Sequence, residues 1–216
     1  MTTDGELKRN VEAELAWDPA VASASIGVAA NGGVVTLSGH LGTYAEKYAA
    51  ERAARRVAGV KALAVELDVR ISPEHRRSDT DIATAVEQAL RWNTQVGPDK
   101  VHVMVEKGWV TLQGEVEWDF QRRSIEKAIR PLMGVVGVSD DITIRPRFTP
   151  DDLQARIGAA LKRQAERETK HIAVEIDGAT VTLRGQVHSW HEREAAQGVA
   201  WAAPGVRAVV NELTIG

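Results

Sequence analysis

Val34-Val35-Thr36-Leu37-Ser38-Gly39, VVTLSG, is the stretch on which the fold turns, because it returns as WVTLQG at 109–114 and as TVTLRG at 180–185. The shared glycines, Gly39, Gly114 and Gly185, stand 75 and 71 residues apart. The register holds far beyond the motif: without a gap, residues 3–69 lie over 78–144 and 149–215, and eight positions are identical in all three copies. Besides the motif these include Leu15/Leu90/Leu161, Val28/Val103/Val174, Gly59/Gly134/Gly205 and Val60/Val135/Val206. All but the motif threonine are apolar or glycine, so what was copied is a core and its turns. Self-similarity at fixed spacing marks a repeat architecture, with repeats at 1–70, 78–145 and 149–216.

Working outward from the motif, each copy opens with a helix-start signal. Thr3, Ser78 and Thr149 are N-cap residues, with Glu6, Asp81 and Asp152 three positions on; Pro150 suits a first helical position. Leu7/Val11/Leu15, Ile82/Val86/Leu90 and Leu153/Ile157/Leu161 recur every four residues and lay one stripe on one helical face. Alternating Ile26/Val28, Val101/Val103/Val105 and Ile172/Val174/Ile176 then read as half-buried strands, turning at Asn31-Gly32, Lys107-Gly108 and Asp177-Gly178. The motif is the second strand, ended by its glycine. A second helix follows, with Ala50/Ala53/Ala54/Val57, Ile125/Ala128/Ile129/Leu132 and Ala196/Val199/Ala200/Ala203 inward; Gly59, Gly134 and Gly205 read as its left-handed C-caps. A last strand closes each copy. The expected fold is α+β: three tandem α-β-β-α-β repeats, each a small three-stranded mixed sheet packed against two helices. Units this small bury too little surface to be very stable alone, so they are expected to dock on one another.

The 216 residues are 44% apolar, 26% charged and 5% aromatic, the composition of a globular chain. Twenty-seven basic against thirty acidic side chains leave a net charge of −3, so no global field draws the protein to nucleic acid or to an anionic membrane. The absence of cysteine removes thiol nucleophiles, disulfides and thiolate metal sites. No stretch of 18 apolar residues and no apolar run behind a basic start occurs, so the chain as written is expected to be cytoplasmic, without a transmembrane segment or signal peptide.

An α-β-β-α-β unit with V-x-L-x-G on its second strand, and Gly-Val 20 residues beyond that glycine, resembles the BON domain, named for bacterial osmotic-stress and nodulation proteins. The resemblance covers nearly the whole chain in three copies. It implies a non-enzymatic binding module associated with phospholipid surfaces and with osmotic or envelope stress.

Candidate binding residues gather where the second helices begin: Tyr44, then Trp118, Phe120, Arg122 and Arg123, then Trp190 and Arg193. Tryptophan beside arginine is what an interfacial membrane anchor uses, the ring at headgroup level and the guanidinium on phosphate. Large rings equally seal contacts between repeats. Trp17 and Trp92, at matching ends of the first helices, read as shared packing. His188, His191 and Glu192 have helical ligand spacing but no further ligand near them in sequence, and no metal or other cofactor is expected. Arg52, Arg55 and Arg56 are diluted by Glu46 and Glu51, and Gly39-His40-Leu41-Gly42 follows a strand instead of joining two helices, so nucleic acid is not expected as a partner. Hydrolase, P-loop, dinucleotide and zincin signatures are absent, and Asp140/Asp141 and Asp151/Asp152 read as strand-edge and helix-start charge, so no enzyme activity is expected. The expected functions are binding to a phospholipid surface or envelope partner, or a protein–protein or chaperone-like adaptor that takes up another chain's strand at a sheet edge, with regulation of a separate enzyme or channel also open.

Overall fold

The computed structural model describes residues 3–97, 100–145 and 172–215. Helix α1 (Asp4–Trp17) starts at a reciprocal cap: the Glu6 N–H donates to the Thr3 hydroxyl at 3.3 Å and the Thr3 N–H to the Glu6 carboxylate at 2.9 Å. Helix α3 (Asp79–Trp92) repeats this with Ser78 and Asp81. Leu7, Val11 and Leu15, and in α3 Ile82, Val86 and Leu90, are buried as their spacing requires. The expected third cap at Thr149 and Pro150, and the stripe Leu153/Ile157/Leu161, lie outside the described residues. One duty of these helix starts was not visible in the sequence. Asp4 accepts the backbone N–H groups of Gly32 and Gly33, and Asp79 those of Lys107 and Gly108, so the first helix holds the hairpin turn.

The Ser78 hydroxyl, and then its backbone N–H, hold the Asp81 carboxyl below the usual range. A carboxyl depressed by folding stabilises the native state above its unfolded pKa, and that stabilisation is lost as pH falls through the folded value. Ser78→Ala removes this cap and is therefore expected to lower the urea midpoint at neutral pH. The gap to wild type should narrow once the pH drops below the ordinary carboxylate range.

Strands β1 (Ile26–Asn31) and β2 (Val34–Leu41) form an antiparallel hairpin whose two turn residues, Gly32 and Gly33, both have positive φ; Lys107 and Gly108 do the same between β4 (Val101–Glu106) and β5 (Trp109–Val116). Such turns match the twist of the flanking strands. Helix α2 (Tyr44–Arg56) carries the chain back so that β3 (Ala62–Val69) lies parallel to β2, as β6 (Gly137–Ile144) does to β5 after α4 (Asp119–Ile129). In the third repeat, β7 (Ile172–Asp177), β8 (Thr180–Val187), α5 (Trp190–Trp201) and β9 (Ala208–Ile215) give the same sheet. Each sheet is three-stranded with the motif strand in the middle. Val35 and Leu37, with Val110/Leu112 and Val181/Leu183, are fully buried, and in the first repeat the two helices meet them in one core.

Two sequence expectations are corrected. The motif glycine does not end its strand: β2 continues two residues beyond Gly39, to Leu41. Gly39 has φ +133° and pairs with Ile26, and a Cβ there would overlap the Ser25 carbonyl oxygen. Gly114 (φ +153°) meets the Lys100 carbonyl in the same way, so the glycine is where β1 enters the sheet across bare backbone. Nor do Gly59, Gly134 and Gly205 cap the second helix. Helix α2 ends at Arg56 with Val57 already extended, and Gly59, with φ near +90° as in the other two copies, turns the loop into β3.

The repeats dock through their second helices in cyclic order, at equivalent positions in two of the contacts and one residue away, at Arg122 instead of Arg123, in the third. Arg130 of α4 lies 3.2 Å over the ring of Tyr48 in α2, Arg55 of α2 reaches Glu194 of α5 at 3.7 Å, and Trp201 of α5 stands 5.4 Å from Arg122 of α4. In the aligned register Arg55, Arg130 and Trp201 are one position, and Tyr48, Arg123 and Glu194 another. Head-to-tail contacts that return to their start after three steps make a closed ring with a pseudo-threefold axis.

Candidate functional site

The first residue of each second helix is Tyr44, Asp119 or Trp190, and the ring decides what each does. Tyr44 is half-buried against the core of the second repeat, its hydroxyl at the Val138 backbone, and burial raises its pKa, with Glu126 adding to the effect. Trp190 packs in the same way on the core of the first repeat. Its indole N–H is buried without a hydrogen-bond partner among the described residues, which marks the ring as placed for area and not for polarity. Asp119 has only 2% of its surface exposed and draws in both neighbouring guanidiniums, Arg122 Nη2 and Arg123 Nε at 2.6 Å each. Arg122 also faces Asp140 at 3.7 Å. Burial, the largest influence, raises the Asp140 carboxyl pKa, although the Ile142 N–H and Arg122 pull it down.

Of the remaining expected residues, Arg193 donates to the carbonyls of Leu213 (3.1 Å) and Asn211 (2.7 Å) and lies over Trp190, bracing α5 on β9. Trp118 is half-buried just before α4, with its ring centroid 6.4 Å from that of Phe120. Phe120 is 50% exposed. Gly39, Gly114 and Gly185 serve the sheet and Gly59, Gly134 and Gly205 the loops, as described above. Tyr44, Trp190, Arg122 and Arg193 thus spend their surface on contacts within the ring, whereas Phe120, beside Trp118, turns a ring to solvent. Glu192 accepts the His188 N–H at 2.8 Å as a helix cap, and His188 and His191 are exposed. Among the described residues no group of three or more His, Asp or Glu is placed to hold a metal ion.

The expectation that Trp17 and Trp92 pack is overturned: they are 83% and 85% exposed. Each comes two residues after the last core leucine, Leu15 or Leu90, and so some 200° around the helix from the buried stripe. That offset was legible in the sequence, and it outweighs the inference that a large apolar ring seeks cover. Copy three has Arg163 at this position, outside the described residues.

Comparison with known proteins matches this architecture. The family model of the BON domain fits residues 3–71, 78–146 and 150–216. Osmotically-inducible protein Y of Escherichia coli is 28% identical over 143 residues, covering 62% of this chain and 71% of that protein. Two structures of CdsD, a structural protein of the type III secretion system of Chlamydia trachomatis, are 13% and 14% identical. They cover 98% and 96% of this chain and 98% and 91% of their own, with TM-scores of 0.26 and 0.25, too low for the likeness to carry an argument. Three family matches that between them span almost the entire sequence place the chain in the BON domain family.

Proposed function

We propose that the protein is a non-enzymatic module that docks on a phospholipid surface, with Trp17 and Trp92 as its anchoring side chains. The observation that carries this is the exposure of two tryptophans at equivalent positions of a closed ring. Trp17 and Trp92 close α1 and α3 at corresponding positions, so a rotation relating the two repeats would bring both indoles to one height along its axis. Tryptophan favours the headgroup level, where its ring is apolar on one side and its N–H stays wet. Sinking about half of a ring's ~200 Å² at ~25 cal/mol/Å² supplies about 2.5 kcal/mol, or about 5 kcal/mol for the pair. Phe120 and Trp118 form the second candidate contact, with Arg123 beside them. Tyr44, Trp190, Arg122 and Arg193 support the ring that presents these groups. The neighbouring charges are paired, Asp18 with Arg56 and Arg91 with Glu87, so docking should tolerate zwitterionic lipid and moderate salt. Similarity to an osmotically inducible protein supports a role in osmotic stress. No helix among the described residues is long and apolar enough to cross a membrane, in keeping with peripheral attachment.

Vesicle co-sedimentation with tryptophan emission tests this. Wild type should pellet with phosphatidylcholine vesicles, with or without phosphatidylglycerol, and its emission should shift to the blue. The double variant Trp17→Ala/Trp92→Ala should fold normally and bind at least about a hundredfold more weakly. Loss in Trp118→Ala instead would move the contact to the start of α4. Wild type that ignores both vesicle types would overturn the membrane reading in favour of a protein adaptor working through the free sheet edges.

A further inference from the structure

The three second helices line a half-open cavity of about 410 Å³ where they meet, and the equivalent side chains Tyr48, Arg123 and Glu194 all line it. Its lining is unbalanced in charge: five arginines, Arg52, Arg55, Arg56, Arg122 and Arg123, stand against two carboxylates, Asp119 and Glu194. Some of these cations are taken. Arg56 is held by Glu14 at 2.8 Å and Asp18 at 3.2 Å, and Arg122 by Asp119. Others keep donors to spare. Arg55 reaches Glu51 and Glu194 only at 3.5 and 3.7 Å, longer than a good hydrogen bond. Arg123 gives Nε to Asp119 and is otherwise exposed, and Arg52 forms no hydrogen bond or ion pair with a described residue. Guanidiniums converging from two helices repel one another, and a multiply charged anion between them relieves the repulsion.

We propose that this cavity binds a small soluble molecule carrying several phosphate groups. Arg52, Arg55 and Arg123 supply forked N–H donors that match phosphate oxygens. Trp201, which lines the same space, offers a flat wall for the rest of the ligand. A volume of this order is that of a small-molecule site. The cavity is built by the second helices, whereas Trp17 and Trp92 end the first ones, so this site and that vesicle contact share no residue; only the second candidate contact, at Phe120 and Trp118, adjoins the cavity through Arg123.

The test is calorimetric titration of the full chain with inorganic triphosphate at constant ionic strength, beside sulfate. Saturable binding of one triphosphate per chain is expected, with sulfate at least about tenfold weaker. Arg52→Gln, which gives up no described hydrogen bond or ion pair, should weaken triphosphate about fivefold without moving the melting temperature. Arg52→Gln/Arg55→Gln should weaken it at least about tenfold. Phosphatidylglycerol vesicles added to the loaded protein separate the sources of phosphate: coexistence supports a soluble ligand, and displacement of triphosphate overturns that assignment in favour of a lipid headgroup. Absence of saturable binding, equal affinity for sulfate, or variants that bind like wild type would overturn the site.

Discussion

Gly114→Ala is expected to destabilise the second repeat by about 2–5 kcal/mol, enough to unfold much of it at 37 °C. Two separate penalties fall on the same methyl group. A φ of +153° is a conformation that L side chains rarely adopt, and the new Cβ would overlap the Lys100 carbonyl oxygen. That oxygen belongs to the backbone entering β4, so relief means moving a strand and not rotating a side chain. The Glu115 N–H also donates to it at 3.2 Å, so the shift would break a bond that ties the start of β4 to β5. Gly32→Ala is the control, since Gly32 has φ +60° and nothing within 4 Å of the added methyl. It should cost only about 1–2 kcal/mol. Urea unfolding of both variants settles the matter, and equal losses would mean that close approach at Gly114 contributes nothing.

The second large effect concerns the ring. Trp190→Ala removes a ring packed on the core of the first repeat, and a half-buried aromatic of this size is worth about 2–3 kcal/mol. Because the lost surface lies between repeats, the change should appear as lost coupling between the first and third units. Wild type should melt in one transition. The variant should show an early transition for the third repeat and a larger radius of gyration by small-angle scattering. Tyr44→Ala should do the same at the boundary between the first and second repeats. A single melting transition at unchanged dimensions in Trp190→Ala would contradict the ring as described.

Much of the repeat was legible because it rests on local rules. Capping residues, a four-residue apolar period and a strand alternating Val and Leu act within a turn or two of chain, and Thr3, Val11 and Leu37 do in the structure what their neighbours in sequence require. The motif glycine was found by recurrence but misread. Its reason is the Ser25 carbonyl, fourteen residues away along the chain and adjacent only after the hairpin closes. Trp17 and Trp92 were misread for the opposite cause: a local rule, their angle around the helix, was set aside for a general preference of large rings for cover.

The sequence by itself determined that there are three units, the order of their described elements, which faces of these are buried, and membership of the BON family. Covalent order and short-range periodicity are enough for that. Only the tertiary structure decided that the units close into a ring. The residue types that meet across its boundaries differ from copy to copy, Tyr48 under Arg130, Arg55 near Glu194, Trp201 beside Arg122, so aligning the copies shows them as variation and not as a pattern. Whether an exposed arginine binds a partner, braces a neighbour or faces an open cavity depends on which surfaces the ring brings together. That choice belongs to packing between distant segments, where no single stretch of sequence carries the signal.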